Sequence, residues 1–446
     1  MQVAGVELTG ARVLVLGLAR SGLAAIRLLR AQDAIVTASD LRPVEALPGV
    51  AESGAAFVLQ SDNAVQGHEL VVISPGVAVD APPLLHARAL GIPVIGELEL
   101  ASYFLLGPVI GITGSNGKTT TTALVHHILR ECGIPSQIGG NIGTPPTSMV
   151  ADSREAQWNV LEISSFQLET ISNFHARIAV CLNITPDHLD RHGTMEVYTA
   201  MKRRLFETQR EDAFAVLNAD DPACFGFAST AASRPLWFSL SRPVTPGLWY
   251  EDGLTFFDGE PLLPAGEIPL RGMHNVENFL AAAGAARLAG ASLEGIAGAV
   301  RSFPGVEHRL EFVRTVSGVE YFNDSKATNV DATLKAIDAF PGGLWIILGG
   351  KDKGGDYTPL RDPLKAKAKA ALLIGAAARK IEAQLSGSVP MLQCGDLAAA
   401  VAKAAQEAAP GDVVLLAPAC ASFDQFDNFE HRGTVFKQLV TGLKET

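Results

Sequence analysis

Val109-Ile110-Gly111-Ile112-Thr113-Gly114-Ser115-Asn116-Gly117-Lys118-Thr119-Thr120 is the stretch that decides the fold. It reads as an apolar strand, a glycine-rich turn and the start of a helix that the pattern extends to about Arg130, with a stop near Gly133. A bound phosphate chain needs backbone N–H groups aimed inward, and glycine allows the close approach and positive φ this requires. It also needs a lysine beside the β- and γ-phosphates and a hydroxyl for Mg²⁺, which Lys118 and Thr119 can supply. The spelling departs from G-x-x-x-x-G-K-[ST], because Ile112 occupies the first glycine position and Gly111 comes one place early. An ordinary glycine-rich turn with a surface lysine is the competing reading; the strand–turn–helix context favours phosphate binding.

Working outward, short Val/Ile/Leu runs alternate with alanine- and leucine-rich stretches on both sides, the pattern of strands joined by helices over a parallel sheet. At 446 residues the chain has room for about three domains, and we expect them at 1–95, 96–304 and 305–446, with Pro304-Gly305 as a linker. Residues 236–270 break the rhythm with prolines and Asp-Gly turns and read as hairpins. Hydrophobic residues are 48% of the chain and charged residues 19%, which excludes wholesale disorder. The formal charge of −11 argues against nucleic acid or anionic membrane as a partner, so any anionic ligand must be held locally. No apolar run approaches the roughly 18 residues that cross a bilayer. Five scattered cysteines, never in C-x-x-C spacing, suggest neither a disulfide framework nor a thiolate zinc site, and fit a reducing cytoplasm.

Other motifs stand at strand ends. Gly17-Leu18-Ala19-Arg20-Ser21-Gly22 with Asp40 beyond it suggests a nucleotide turn, but Ala19 replaces the second glycine of the dinucleotide fingerprint, so a structural turn stays open. Glu162 closes an apolar strand, where a carboxylate could hold Mg²⁺ or merely face solvent. The charged run Thr185–His192 reads by default as a solvated loop, and Lys202 as part of a solvated basic helix face. Asn323–Asn329 and Ala417–Phe426 each follow a strand; they are rich in groups that hold amino, carboxylate or phosphate, although helix capping alone could explain Asp324 and Ser422.

These residues taken together resemble the Mur ligase family. The series ITGSNGKTT, GGNIGTP, LEISSFQLE, NITPDHLDRHG, YTAMK, HNVEN, EHRLE, NDSKATN and ACASFDQFDNFEHRG covers nearly the whole chain in order. The resemblance implies an α/β protein of three domains: a Rossmann-like one for the UDP part of an acceptor, a central P-loop ATPase with a mostly parallel sheet plus a small β-rich part, and a C-terminal Rossmann-like one for an incoming amino acid. The implied ligands are UDP-N-acetylmuramoyl-L-alanine, D-glutamate, ATP and two Mg²⁺ ions, with no nucleic acid or membrane insertion and a monomer expected.

Carried over position by position, the ATP side takes Gly114, Ser115, Asn116, Gly117, Lys118, Thr119, Thr120, Asn275, Arg309 and Asp324. The UDP-substrate side takes Arg20, Ser21, Asp40, Arg42, Ser74, Gly76, Asn141 and Ser164. The amino acid falls to Lys326, Thr328, Lys353, Ser422 and Phe429. The metal falls to Thr119, Glu162, His188 and Lys202, the last matching a lysine that is carbamylated in the family. Lys118, His188, Lys202 and Lys326 are the implied catalytic group. A folylpolyglutamate-type ligase is the near alternative, a nicotinamide-dependent dehydrogenase or a nucleotide-triggered binding protein the distant ones; hydride transfer has no use for Lys118.

Overall fold

The computed structural model describes residues 1–444. It contains three α/β layers built on sheets of five, nine and six strands, besides a small two-stranded ribbon. The five-stranded sheet is wholly parallel, ordered Ala56–Leu59, Ile35–Asp40, Arg12–Leu16, Leu70–Ile73, Val94–Gly96. Its central strands are apolar on both faces because helices cover both, which is what parallel connection demands. The helix Arg20–Ala31 buries Ala25, Ile26 and Leu29 against them.

In the nine-stranded sheet the strand Val109–Thr113 lies between Trp158–Glu162 and Ile178–Cys181, with Ser136–Gly140 at one edge. The chain leaves Val109–Thr113 toward that edge and returns on the other side, so the direction of winding reverses at this strand. Ligands of open α/β sheets bind beyond the strand ends at such a reversal, and the glycine-rich turn is located there. The helix that follows, Lys118–Glu131, buries Leu124, Val125, Ile128 and Leu129, an i, i+4 stripe laid on the sheet. The six-stranded sheet runs Glu311–Val316, Val319–Asn323, Val413–Leu416, Leu344–Gly349, Ala368–Ile374, Met391–Gly395. All but its first strand are parallel, so the loops after Val319–Asn323 and Val413–Leu416 emerge side by side.

The chain forms two compact units, one of Met1–Pro264 with Phe279–Val300, the other of Ala265–Asn278 with the chain from Arg301 onward. One local expectation needs correction. Within 236–270 only the turns at Asp252-Gly253 and Asp258-Gly259 make hairpins; Arg234–Ser239 and Gly247–Glu251 pair in parallel. Asp220 gathers the connection between those two strands, accepting from the Ser239 hydroxyl at 2.7 Å and the Leu240 N–H at 2.7 Å. The apolar stretch 310–323 is two strands that turn at Ser317-Gly318, both at positive φ. The edge strand Ala56–Leu59 escaped the sequence pattern because it is mostly exposed and carries no apolar alternation.

Candidate active site

The glycine-rich turn is preformed. Gly114 has φ 145°, and a Cβ there would stand 3.0 Å from the Leu182 Cβ; Gly117, at φ 86°, opens the helix. Asn183 accepts from the Asn116 N–H at 2.9 Å, and its own backbone carbonyl accepts from the Ser115 N–H at 2.9 Å. The Ser115 hydroxyl donates to the Thr185 carbonyl at 2.8 Å and lies 3.1 Å from the Tyr198 hydroxyl. Lys118 curls over the turn, its Nζ donating to the carbonyls of Gly114 and Ser115 at 2.8 Å each.

Glu162 reaches the same place from the neighbouring strand. It is buried, and its Oε2 accepts from the Thr119 hydroxyl at 2.7 Å while Oε1 accepts from Asn141 Nδ2 at 2.9 Å. Gly140 makes this approach possible: it sits at φ 109°, a Cβ would come within 2.2 Å of the Glu162 carbonyl, and Asn141 N–H donates to that carbonyl at 2.8 Å. A hydroxyl and a carboxylate at a helix start form the oxygen donor set that Mg²⁺ takes when phosphates and water complete its shell. Among the described residues no group of three or more His, Cys, Asp or Glu side chains forms a self-sufficient metal cage, so the set fits a nucleotide-borne Mg²⁺.

Lys202 corrects the solvated-face reading. It lies in the helix Met195–Glu207, is 1% exposed, and donates from Nζ to the Gly114 carbonyl at 2.8 Å. Its other contacts are the Thr113 hydroxyl at 3.5 Å and the Tyr198 ring at 4.7 Å, neither of them anionic. Burial, with Lys118 adding repulsion, pulls its pKa down to about 7.

The run Thr185–His192 is likewise more ordered than a solvated loop. Leu189–His192 is a single helical turn entered through His188 at φ 53°. His188 stands with its ring 4.8 Å from that of Phe166 and Nε2 3.6 Å from Asp187. His192 is buried, within 2.9 Å of the Ser165 hydroxyl, and burial lowers its pKa. Arg191 grips Glu169 at 2.6 and 3.2 Å.

At the carboxyl ends of the five-stranded sheet, Ser74 donates to the Gly17 carbonyl at 2.6 Å, joining the two loops at that sheet's own winding reversal. Asp40 accepts from the Leu18 N–H at 2.8 Å and from Arg42 Nε at 3.0 Å. Burial would raise its pKa, but the Arg42 bonds and charge, with the backbone donors, bring it to about 2. Arg20 and Gly76 are exposed beside this cluster and Ser21 is half-buried. Ser164 caps the turn Ser165–Leu168, closing a reciprocal pair with Gln167.

In the second unit, Asp324 is buried with Oδ1 lacking any partner, and the buried Nε of Arg309 is equally unpartnered. Burial raises the Asp324 pKa to about 6 despite the charges of Arg309 and Lys326. Lys326 places its ammonium 5.0 Å from the Phe429 ring centre; Thr328 is half-buried in the same loop, Ser422 is buried in the neighbouring one, and Lys353 is exposed. Asn275, buried, donates to the Arg271 carbonyl at 2.7 Å. Capping does not explain Asp324 or Ser422, because the caps of the following helices are Asn329 and Asn428. The sequence reading passed over Arg432, which is buried and donates to the Ser325 carbonyl at 2.8 Å and the Cys420 carbonyl at 3.2 Å, clamping the two loops together. A lone arginine amid the ACASFDQFDNFEHRG motif was its one visible signal.

Against known families, residues 11–96 match the Mur ligase MurD-like N-terminal domain, 112–286 the Mur ligase middle domain and 308–420 the Mur ligase glutamate ligase domain. The chain is 58% identical over 438 residues to a UDP-N-acetylmuramoylalanine–D-glutamate ligase of Solibacter usitatus, covering 98% of this chain and 99% of that one. It is 54% identical to the protein of the same name in Acidobacterium capsulatum, covering 97% of each. Among solved structures, the MurF ligase of Thermotoga maritima in complex with ADP superposes with a TM-score of 0.64 at 20% identity, covering 98% of this chain and 96% of that one. A pseudomurein peptide ligase type C from Methanothermus fervidus gives 0.62 at 19% identity, covering 98% and 100%. At those identities the structures speak to the fold alone.

Proposed function

Because this chain belongs to the Mur ligase family, we infer that it is an ATP-dependent ligase adding D-glutamate to UDP-N-acetylmuramoyl-L-alanine in peptidoglycan precursor synthesis. Near-full-length identity to the D-glutamate ligases supports the substrate pair, and the Thr119–Glu162 contact at the mouth of the glycine-rich turn carries the chemistry. We assign the acceptor's UDP part to the domain 1–95, ATP to 96–304 and the amino acid to 305–446, working as a single chain in the cytoplasm.

A carboxylate is a poor acyl donor because oxide is a poor leaving group. The acceptor's terminal carboxylate oxygen therefore attacks the γ-phosphorus, the bond to the β-phosphate oxygen breaks, and ADP leaves an acyl phosphate. The D-glutamate nitrogen then attacks the acyl carbon, phosphate departs, and the nitrogen loses its proton. Charge builds on oxygen in both steps, where preorganised cations count most. Lys118, already over the turn, faces the β- and γ-phosphates; Gly114 to Thr120 supply the N–H cradle. Asn275 and Arg309 attend the nucleotide, and the unpartnered oxygen of Asp324 takes the ribose. Arg20, Ser21, Asp40, Arg42, Ser74, Gly76, Asn141 and Ser164 hold the acceptor; Lys326, Thr328, Lys353, Ser422 and Phe429 hold D-glutamate.

Thr119 and Glu162 would hold one Mg²⁺ and His188 with Lys202 a second, neutralising phosphate charge. Lys202 suits this once carbamylated: its neutral amine takes up CO₂ and releases a proton, exchanging a repelling ammonium for oxygen ligands. Its burial beside the Lys118 ammonium favours the neutral amine and so supports the modification. The deciding experiment supplies ATP, Mg²⁺, the acceptor and single amino acids and follows orthophosphate. Release with D-glutamate alone is expected; equal release with other amino acids, or none with any, would overturn the reading.

A further inference from the structure

We propose that Arg191 is a positioning residue that couples acceptor binding to the catalytic loop, by holding the loop Pro75–Val77 of the first domain in register with His188. The proposal rests on the site assignments above. Its basis is a guanidinium with anchors in both domains of the first unit. On one side the fork grips the Glu169 carboxylate, Nη2 to Oε2 at 2.6 Å and Nε to Oε1 at 3.2 Å. The carbon of the guanidinium also lies 5.1 Å from the Phe166 ring centre, and that ring meets His188 edge-on at 4.8 Å. On the other side Nη2 donates to the Val77 carbonyl at 2.8 Å.

Val77 belongs to the acceptor loop by packing as well as by position. Its N–H donates to the Ser74 carbonyl at 3.0 Å, and Ser74 in turn donates to Gly17. A Cβ on Gly17 would strike the Val77 side chain at 2.7 Å, so Val77 rests on the turn that begins the helix Arg20–Ala31. A chain of contacts therefore runs Gly17, Ser74, Val77, Arg191, Phe166, His188. Arg191 follows His188 by less than one helical turn, its N–H donating to the His188 carbonyl at 3.1 Å, so the residue that grips Val77 also shapes the His188 backbone.

Arginine is suited to this because its planar fork satisfies a carboxylate bidentately and keeps a further N–H for a carbonyl. Lysine is a point donor on a shorter reach and can satisfy Glu169 without also reaching Val77. The ion pair is nearly dry, with Glu169 5% and Arg191 18% exposed, so Arg191→Ala would strand a buried carboxylate and could fail structurally. Arg191→Lys is therefore the primary test, with Glu169→Gln as the second variant.

For both variants, kcat and KM are measured separately for the acceptor and for ATP, alongside a thermal melt and nucleotide affinity by calorimetry. Arg191→Lys should raise the acceptor KM about tenfold, as expected for a lost charged hydrogen bond. The ATP KM and nucleotide affinity should change less than about twofold. Glu169→Gln, which keeps the Val77 bond but loosens the other anchor, should show the same split in smaller measure. Equal effects on both substrates, an unchanged acceptor KM, or an unfolded Arg191→Lys protein would each overturn the proposal. Should the parent protein itself show no ATP-dependent turnover of the acceptor, the functional reading fails instead, and the parent assay separates the two failures.

Discussion

Lys118 and Lys202 donate to one oxygen, the Gly114 carbonyl, each at 2.8 Å. They reach it from different helices, and two ammonium charges sharing one acceptor repel. Burial first, and the Lys118 charge second, bring the Lys202 pKa down to about 7 from an unfolded value of 10.5. Between those values the unfolded chain binds more protons at this site than the native one, and stability must rise with pH. Below pH 7 the amine is charged in both states and the burial penalty is fully felt.

Lys202→Met, which keeps the volume and drops the charge, should flatten this dependence. Measured by urea unfolding in bicarbonate-free buffer, its stability relative to the parent should be ~4 kcal/mol more favourable at pH 6 than at pH 10. A pH-independent difference would show that the amine is not held in this desolvated state. With ¹³C-bicarbonate at pH 8, a carbamate resonance should appear in the parent and be missing from Lys202→Met.

Lys118→Ala should reduce orthophosphate release about a thousandfold, the scale of a lost transition-state donor. The turn is fastened by Asn183, Thr185 and Tyr198 without it, so the melting temperature should stay within a few degrees of the parent. Retained turnover would remove Lys118 from its assigned role.

Glu162→Gln should leave Thr119 and Asn141 with a neutral neighbour while weakening the hold on a divalent cation. A Mg²⁺ titration of initial rates should show the half-saturating concentration rising at least about tenfold. An unchanged requirement would place the metal elsewhere.

Asp324→Asn should separate stability from nucleotide binding. The native pKa of about 6 lies above the unfolded 3.8, so the native state binds more protons between those values and loses stability as pH rises through them. The amide escapes that penalty. The variant should gain up to ~3 kcal/mol relative to the parent on going from pH 4 to pH 8, while its ATP KM rises about tenfold if the carboxylate takes the ribose. A stable variant with an unaltered ATP KM would relieve Asp324 of that role.

How much was legible in advance varied with how local each signal was. Lys118 and Thr119 could be read because a strand end, glycines and a helix start stand beside them in the chain. Glu162 was half legible: its strand-end position was plain, its partners were not. Lys202 and His192 read as solvated because their helix and loop are polar in composition; what buries them is packing against distant segments. Arg432 and Arg191 gave almost no signal, since an arginine that bridges two loops is spelled like any surface arginine.

The sequence by itself determined the phosphate turn, the strand–helix alternation and the series of motifs that places the chain in its family, because each is encoded by neighbours within one short run. Only the tertiary structure decided which cations are buried and which oxygens they share. Lys202 meets the carbonyl of a residue 88 positions earlier, and desolvation is a property of everything packed around a group, not of the residues on either side of it.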